Sequence, residues 1–148
     1  MTLSAQQPFG QAAREIVGER AEAVFVHRPA DVLDLGEIEG VHAMRVATRR
    51  LRAALEVFGP CLGRKGGARL LTEVKVLAAA LGERRDRDVA LELLARLETD
   101  CDGAERRAVG LLARELREEQ LEANEELAKA LRHAKRVGLR RQLRRITA

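Results

Sequence analysis

From residue 41 to residue 58 the positions Val41, Met44, Thr48, Leu51, Leu55 and Phe58 recur at steps of three and four. Only an α-helix of 3.6 residues per turn gathers such positions into one buried seam; a strand would need alternation by two. The rest of the chain agrees with that segment. Ala, Leu, Glu and Arg dominate, all good helix formers, and only three prolines interrupt 148 residues. An all-α fold follows, an antiparallel four-helix-type bundle with short loops and a long C-terminal helix. One domain is expected, spanning 1–148.

The elements can be placed by pattern. A first helix over 5–27 presents Phe9, Ala12, Ile16, Ala23 and Val26, and a loop follows over 29–40. The second helix, 38–58, stops at Gly59 and Pro60. A third, 67–81, packs through Leu70, Val74, Leu77 and Leu81 and stops at Gly82. A fourth starts at an Asp86 cap and runs to Glu98 on Val89, Leu93 and Leu97. A long helix over 104–136 carries Val109, Leu112, Leu116, Ala123, Leu127 and Leu131. Gly138 breaks it, and Arg140, Arg141, Arg144 and Arg145 form a last turn or a frayed basic tail over 138–148.

The chemistry sits on the second helix. His42, Arg45, Arg49 and Arg52 each follow a seam residue directly, so at 100° per residue they form a cationic stripe beside the seam. The stripe runs roughly 15 Å, and no carboxylate lies between Val41 and Ala54. Surface helices built only for solubility mix signs at four-residue spacing. Crowded guanidinium groups repel one another, and a bound anion relieves that. Arginine also grips phosphate with a planar fork that lysine lacks. The bland alternative is a solvated face in an arginine-rich chain.

Arg50 points to the other flank, where Val46, Ala53 and Val57 form a partly apolar strip suited to another helix or subunit. His42 is placed to donate a hydrogen bond to a phosphate oxygen; as a lone helix histidine it reads equally as a surface residue. Lys75 follows seam residue Val74 at the same offset as the stripe. Arg84 and Arg85 stand before the expected Asp86 cap, where a helix N-terminus would attract anions. Asp86 and Asp88 read more simply as caps and local partners for arginine. No metal site is expected, because His27, His42 and His133 lie in unrelated contexts.

The string VHAMRVATRRLRAALEVF, followed by LGERRDRDVALELL, resembles the signature of the CHAD domain, the conserved-histidine α-helical domain. The matching positions are His42, Arg45, Arg49, Arg50, Leu51, Arg52, Phe58, Leu81, Gly82, Arg85, Asp86, Asp88 and Val89. The resemblance is strongest over 38–98. It implies a helical module that binds inorganic polyphosphate without catalysis through basic residues, here His42, Arg45, Arg49, Arg50, Arg52 and Arg85, and Lys75 joins them by its offset from Val74. It also implies association with polyphosphate granules or polyphosphate metabolism, and Cys61 and Cys101 read as reduced thiols of a cytoplasmic protein. Family members usually hold two related four-helix halves, and this chain looks like the first, since 131–141 is basic but lacks the seam. Either a symmetric homodimer restores the second half, or the site is an open, weaker half-groove.

Other classes fit less well. A nucleic-acid module would find the stripe attractive, yet Trp and Tyr are absent and aromatic residues total 2%, so bases have no stacking platform. Weak nonspecific nucleic-acid binding is still expected. A phosphohydrolase needs acidic metal ligands or an activated nucleophile, for which Asp86 and Asp88 are the only nearby candidates. A structural adaptor with arginines for solubility remains open. No cofactor is implied. Cys61 and Cys101 have no metal or redox spacing, and no apolar run approaches membrane-spanning length.

Overall fold

The computed structural model describes residues 6–148, the side chains of 64 and 65 excepted. Its elements are α1 (Phe9–Phe25), α2 (Pro29–Leu33), α3 (Glu39–Phe58), a single 3-10 turn (Gly59–Leu62), α4 (Arg64–Asp100), α5 (Gly103–Arg136) and α6 (Leu139–Thr147). No strand occurs among the described residues. Helix α3 is central, packed between α1 and α4, while α4 pairs with α5 and α6 returns onto α1. The expected start of the first helix at residue 5 lies outside the described residues.

The α3 seam is as the periodicity requires. Val41, Met44, Thr48, Leu51 and Leu55 are buried, and Phe58 is half-buried against the Phe9 ring at 5.8 Å. Each fully buried leucine contributes about 1.5–3 kcal/mol. Thr48 is accommodated because its hydroxyl donates to the Met44 carbonyl at 2.8 Å. Leu70, Val74, Leu77 and Leu81 of α4 complete the core, with Leu127, Ala134, Leu139 and Leu143 from the C-terminal helices.

Three expectations are corrected. First, α4 does not break at Gly82, and Asp86 is an exposed mid-helix residue rather than a cap. A helical glycine costs only about 1 kcal/mol against alanine. Ion pairs one turn apart bridge the site, Glu83 with Arg87 and Arg84 with Asp88. Second, α1 buries Ala13, Val17, Ala21 and Val24, about a third of a turn from the expected face, and leaves Phe9 and Val26 exposed. Third, residues 139–147 form a docked helix, not a tail. Leu139 and Leu143 are buried, and Arg140 and Arg144 both reach Glu22 of α1, at 2.7 and 2.6 Å.

Hydrogen bonds from Arg144, then Arg140, hold the Glu22 carboxyl at about 2, well below its ordinary 4.5. A carboxyl depressed on folding stabilises the fold above its unfolded value, and that contribution fades as pH falls from about 4.5 toward 2. Glu22 remains 40% exposed, so screening limits the effect to about 1 kcal/mol. Glu22→Gln should lower the melting midpoint at pH 7 by about 3 °C. Melts of the two proteins should converge between pH 4.5 and 2, where the wild-type advantage disappears.

Two glycines set close approaches at the ends of α3. A Cβ on Gly40 would lie 2.4 Å from the Asp31 carbonyl oxygen, and one on Gly67 would lie 2.5 Å from that of Gly59. Both obstacles are backbone, so neither side can yield cheaply. Gly40→Ala should cost about 1–3 kcal/mol in urea unfolding, by prising α2 from the first turn of α3. A midpoint equal to wild type would mean that α2 is free to move.

Candidate polyanion-binding site

Helix α3 carries the stripe with its buried seam turned toward α1 and α4, so the cations emerge along both of its flanks. Arg45 and Arg52 differ by seven residues and share an azimuth within about 20°, with Arg49 beside them. Arg45 is half-buried; Arg49, Arg50 and Arg52 are exposed. Among the described residues, His42, Arg45, Arg49 and Arg50 enter no ion pair or side-chain hydrogen bond.

On the α4 flank the structure brings Lys75 to the stripe, as its offset predicts. Glu56 lies between the two helices, with its Oε1 3.6 Å from both Arg52 Nε and Lys75 Nζ. This carboxylate, one turn beyond Arg52, was not counted in the sequence reading, and it occupies part of the cationic face. Further along α4, Gly82 faces open space, since an added Cβ would meet nothing.

Arg85 is ten residues, about 15 Å, from Lys75 along the same helix. It sits mid-helix, so the helix-terminus argument for it fails. Its side chain is largely buried, with Nη2 3.7 Å from Glu92 and Nη1 buried without a partner. An unsatisfied buried guanidinium nitrogen favours an acceptor nearby.

The α1 flank collects a second set. His42 and Arg50 line a cleft of about 370 Å³ with Arg20, His27 and Val46. Arg20 and His27 were missed. Their seven-residue separation puts them on one face of α1, but which face meets α3 depends on tertiary packing. The stripe is therefore divided: Arg45, Arg49 and Arg52 run with Lys75, while His42 and Arg50 turn toward α1.

Neighbouring charges off the site are mutually absorbed. Arg84 and Asp88 are fully buried at 3.1 Å, and Arg87 pairs with Glu83 and Glu119. Among the described residues no three His, Cys, Asp or Glu side chains converge. The arrangement can grip phosphate oxygens with several forked donors along one helix.

Neither a curated protein nor a solved structure matches the chain. The model of the CHAD domain family does, over residues 15–148. That match extends well beyond the two motifs and takes in every helix from within α1 to α6, so the chain belongs to the CHAD domain family.

Proposed function

We propose that this chain binds inorganic polyphosphate along the α3–α4 face, through Arg45, Arg49, Arg52, Lys75 and Arg85, with His42 and Arg50 engaging from the α1 side. The observation that carries the reading is that Arg45, Arg49 and Arg50 on α3 have no ion pair or side-chain hydrogen bond among the described residues, while Arg85 on α4 keeps a buried nitrogen without a partner. The CHAD family is linked to polyphosphate binding in general, and its domain is generally a binding module rather than a catalytic one. Phosphate gripping without base reading suits a polymer that has no bases. The proposed setting is the cytoplasm, at polyphosphate granules; among the described residues no helix is long and apolar enough to cross a membrane.

A second copy of the chain completes the site in this reading. Beyond the reach of α3, the α4–α5 hairpin leaves Val89 47%, Leu93 63%, Leu97 46%, Leu111 57% and Leu112 47% exposed. Val89, Leu93, Leu97 and Leu112 were expected in the core, and among the described residues nothing covers them. Val57, near the Lys75 end of α3, is a separate exposed apolar residue at 64%. A two-fold partner would bury these residues and face its own arginines toward the same polyphosphate. Sedimentation that reports a monomer with and without polyphosphate would remove the dimer from the proposal.

The function is tested by titrating the protein with long-chain polyphosphate and with single-stranded DNA at equal phosphate, across salt concentrations. Polyphosphate binding that persists at physiological salt and exceeds DNA binding is expected. Equal, weak binding of both polymers would favour the nonspecific nucleic-acid reading.

A further inference from the structure

A larger cleft, about 620 Å³, lies where the end of α1, the α5–α6 junction, α3 and α4 converge. Its composition differs from the arginine face. The floor is apolar, made by Met44, Leu77 and Leu131, and the rim is cationic. Three of the rim arginines are already engaged: Arg140 and Arg144 with Glu22, and Arg136 with His133 Nδ1 at 3.1 Å. His27, Lys135 and Arg141 have no ion pair or side-chain hydrogen bond among the described residues.

Gly138 shapes the rim. It adopts a left-handed φ of 65°, and a Cβ there would lie 3.3 Å from Arg141 Nη2. The bare glycine lets that guanidinium fold back across the junction. The volume falls in the range of small-molecule sites, where an apolar lining and a few placed polar groups together define the ligand. Inorganic phosphate would leave the floor wet, and a neutral hydrocarbon would leave the cations unused.

We infer that this cleft binds an anionic amphiphile, a single phosphate or carboxylate head on a short apolar body. The head meets Lys135, Arg141 and His27 while the body lies on Met44, Leu77 and Leu131. The cleft shares His27 with the α1 side of the polyphosphate face, but the inference does not rest on that reading.

Met44 and Met1 are the only methionines, so methyl labelling of methionine gives a reporter in the cleft floor. Decyl phosphate and decanoate, each below its micelle concentration, would be added to the whole protein beside inorganic phosphate and decanol. The Met44 methyl resonance should shift with one or both anionic amphiphiles, and their relative strengths assign the head. Binding at least about tenfold tighter than inorganic phosphate or decanol is expected. Lys135→Glu/Arg141→Glu, at two exposed positions, should weaken that binding about tenfold or more with its melting curve and polyphosphate binding unchanged. An unmoved Met44 resonance, parity with inorganic phosphate or decanol, or wild-type affinity in the variant would overturn the assignment.

Discussion

Asp88→Ala should destabilise the fold by about 3–5 kcal/mol, the cost of leaving a buried charge without its partner. Arg84 is wholly buried in α4, and its Nη2 lies 3.1 Å from Asp88 Oδ1. Burial pushes the Arg84 guanidinium pKa down, and the Asp88 carboxylate is the strongest opposing influence. The same guanidinium donates to Asn124 Oδ1 at 3.1 Å and to the Asp34 carbonyl at 3.4 Å. Gln120 donates to Asp88 at 2.6 Å, and Asn124 donates to the Leu33 carbonyl at 3.0 Å. The network therefore ties α4 to α5 and to the chain leaving α2. Yet Arg84 Nε and Asp88 Oδ2 lack partners, so the pair is imperfectly satisfied. Arg84→Met/Asp88→Leu should consequently unfold in urea close to wild type, or later, while either single change unfolds far earlier. A loss under about 1 kcal/mol for Asp88→Ala would mean that Arg84 escapes to solvent.

That network explains where sequence reading stopped. Arginine and aspartate four apart on a helix look like an exposed pair, and only the arrival of Gln120 and Asn124 from α5 makes them interior. The same contacts carry α4 through Gly82, which local signals treat as a stop. Helix α3 was legible because its seam, its end at Gly59 and its stripe are all local properties of one segment. Lys75 was legible for the same reason, since its offset from Val74 repeats the α3 pattern. Glu56, Arg20 and His27 join the site through the mutual placement of helices, which periodicity does not specify. The apolar face at Val89, Leu93 and Leu97 is instructive in another way. Its periodicity is genuine, but among the described residues nothing covers it. The docking of α6 depended on Glu22, which offers no signal until two arginines from the far end of the chain converge on it.

Opposite changes on the arginine face should move polyphosphate affinity in opposite directions. Arg45→Ala/Arg49→Ala removes two of the cations without internal partners. At about 1.5 kcal/mol each, the lower end for charged hydrogen bonds, the loss amounts to roughly a hundredfold in Kd. Two fewer phosphate contacts should also flatten the dependence of log K on log salt by about 1.4, taking the coefficient for single-stranded polyanions. Stability should hardly change, because neither side chain has an ion pair or hydrogen bond among the described residues. Glu56→Gln acts from the other side. It releases Arg52 and Lys75 from a shared carboxylate oxygen and removes a negative charge beside the bound polymer. Binding should tighten severalfold and the salt dependence should steepen. Titrations of both variants at three salt concentrations read the sign and the slope together. If neutralising the arginines leaves Kd and slope as in wild type, the stripe is a solvated face. If Glu56→Gln weakens binding, Glu56 is ordering Arg52 and Lys75 for the ligand rather than competing with it.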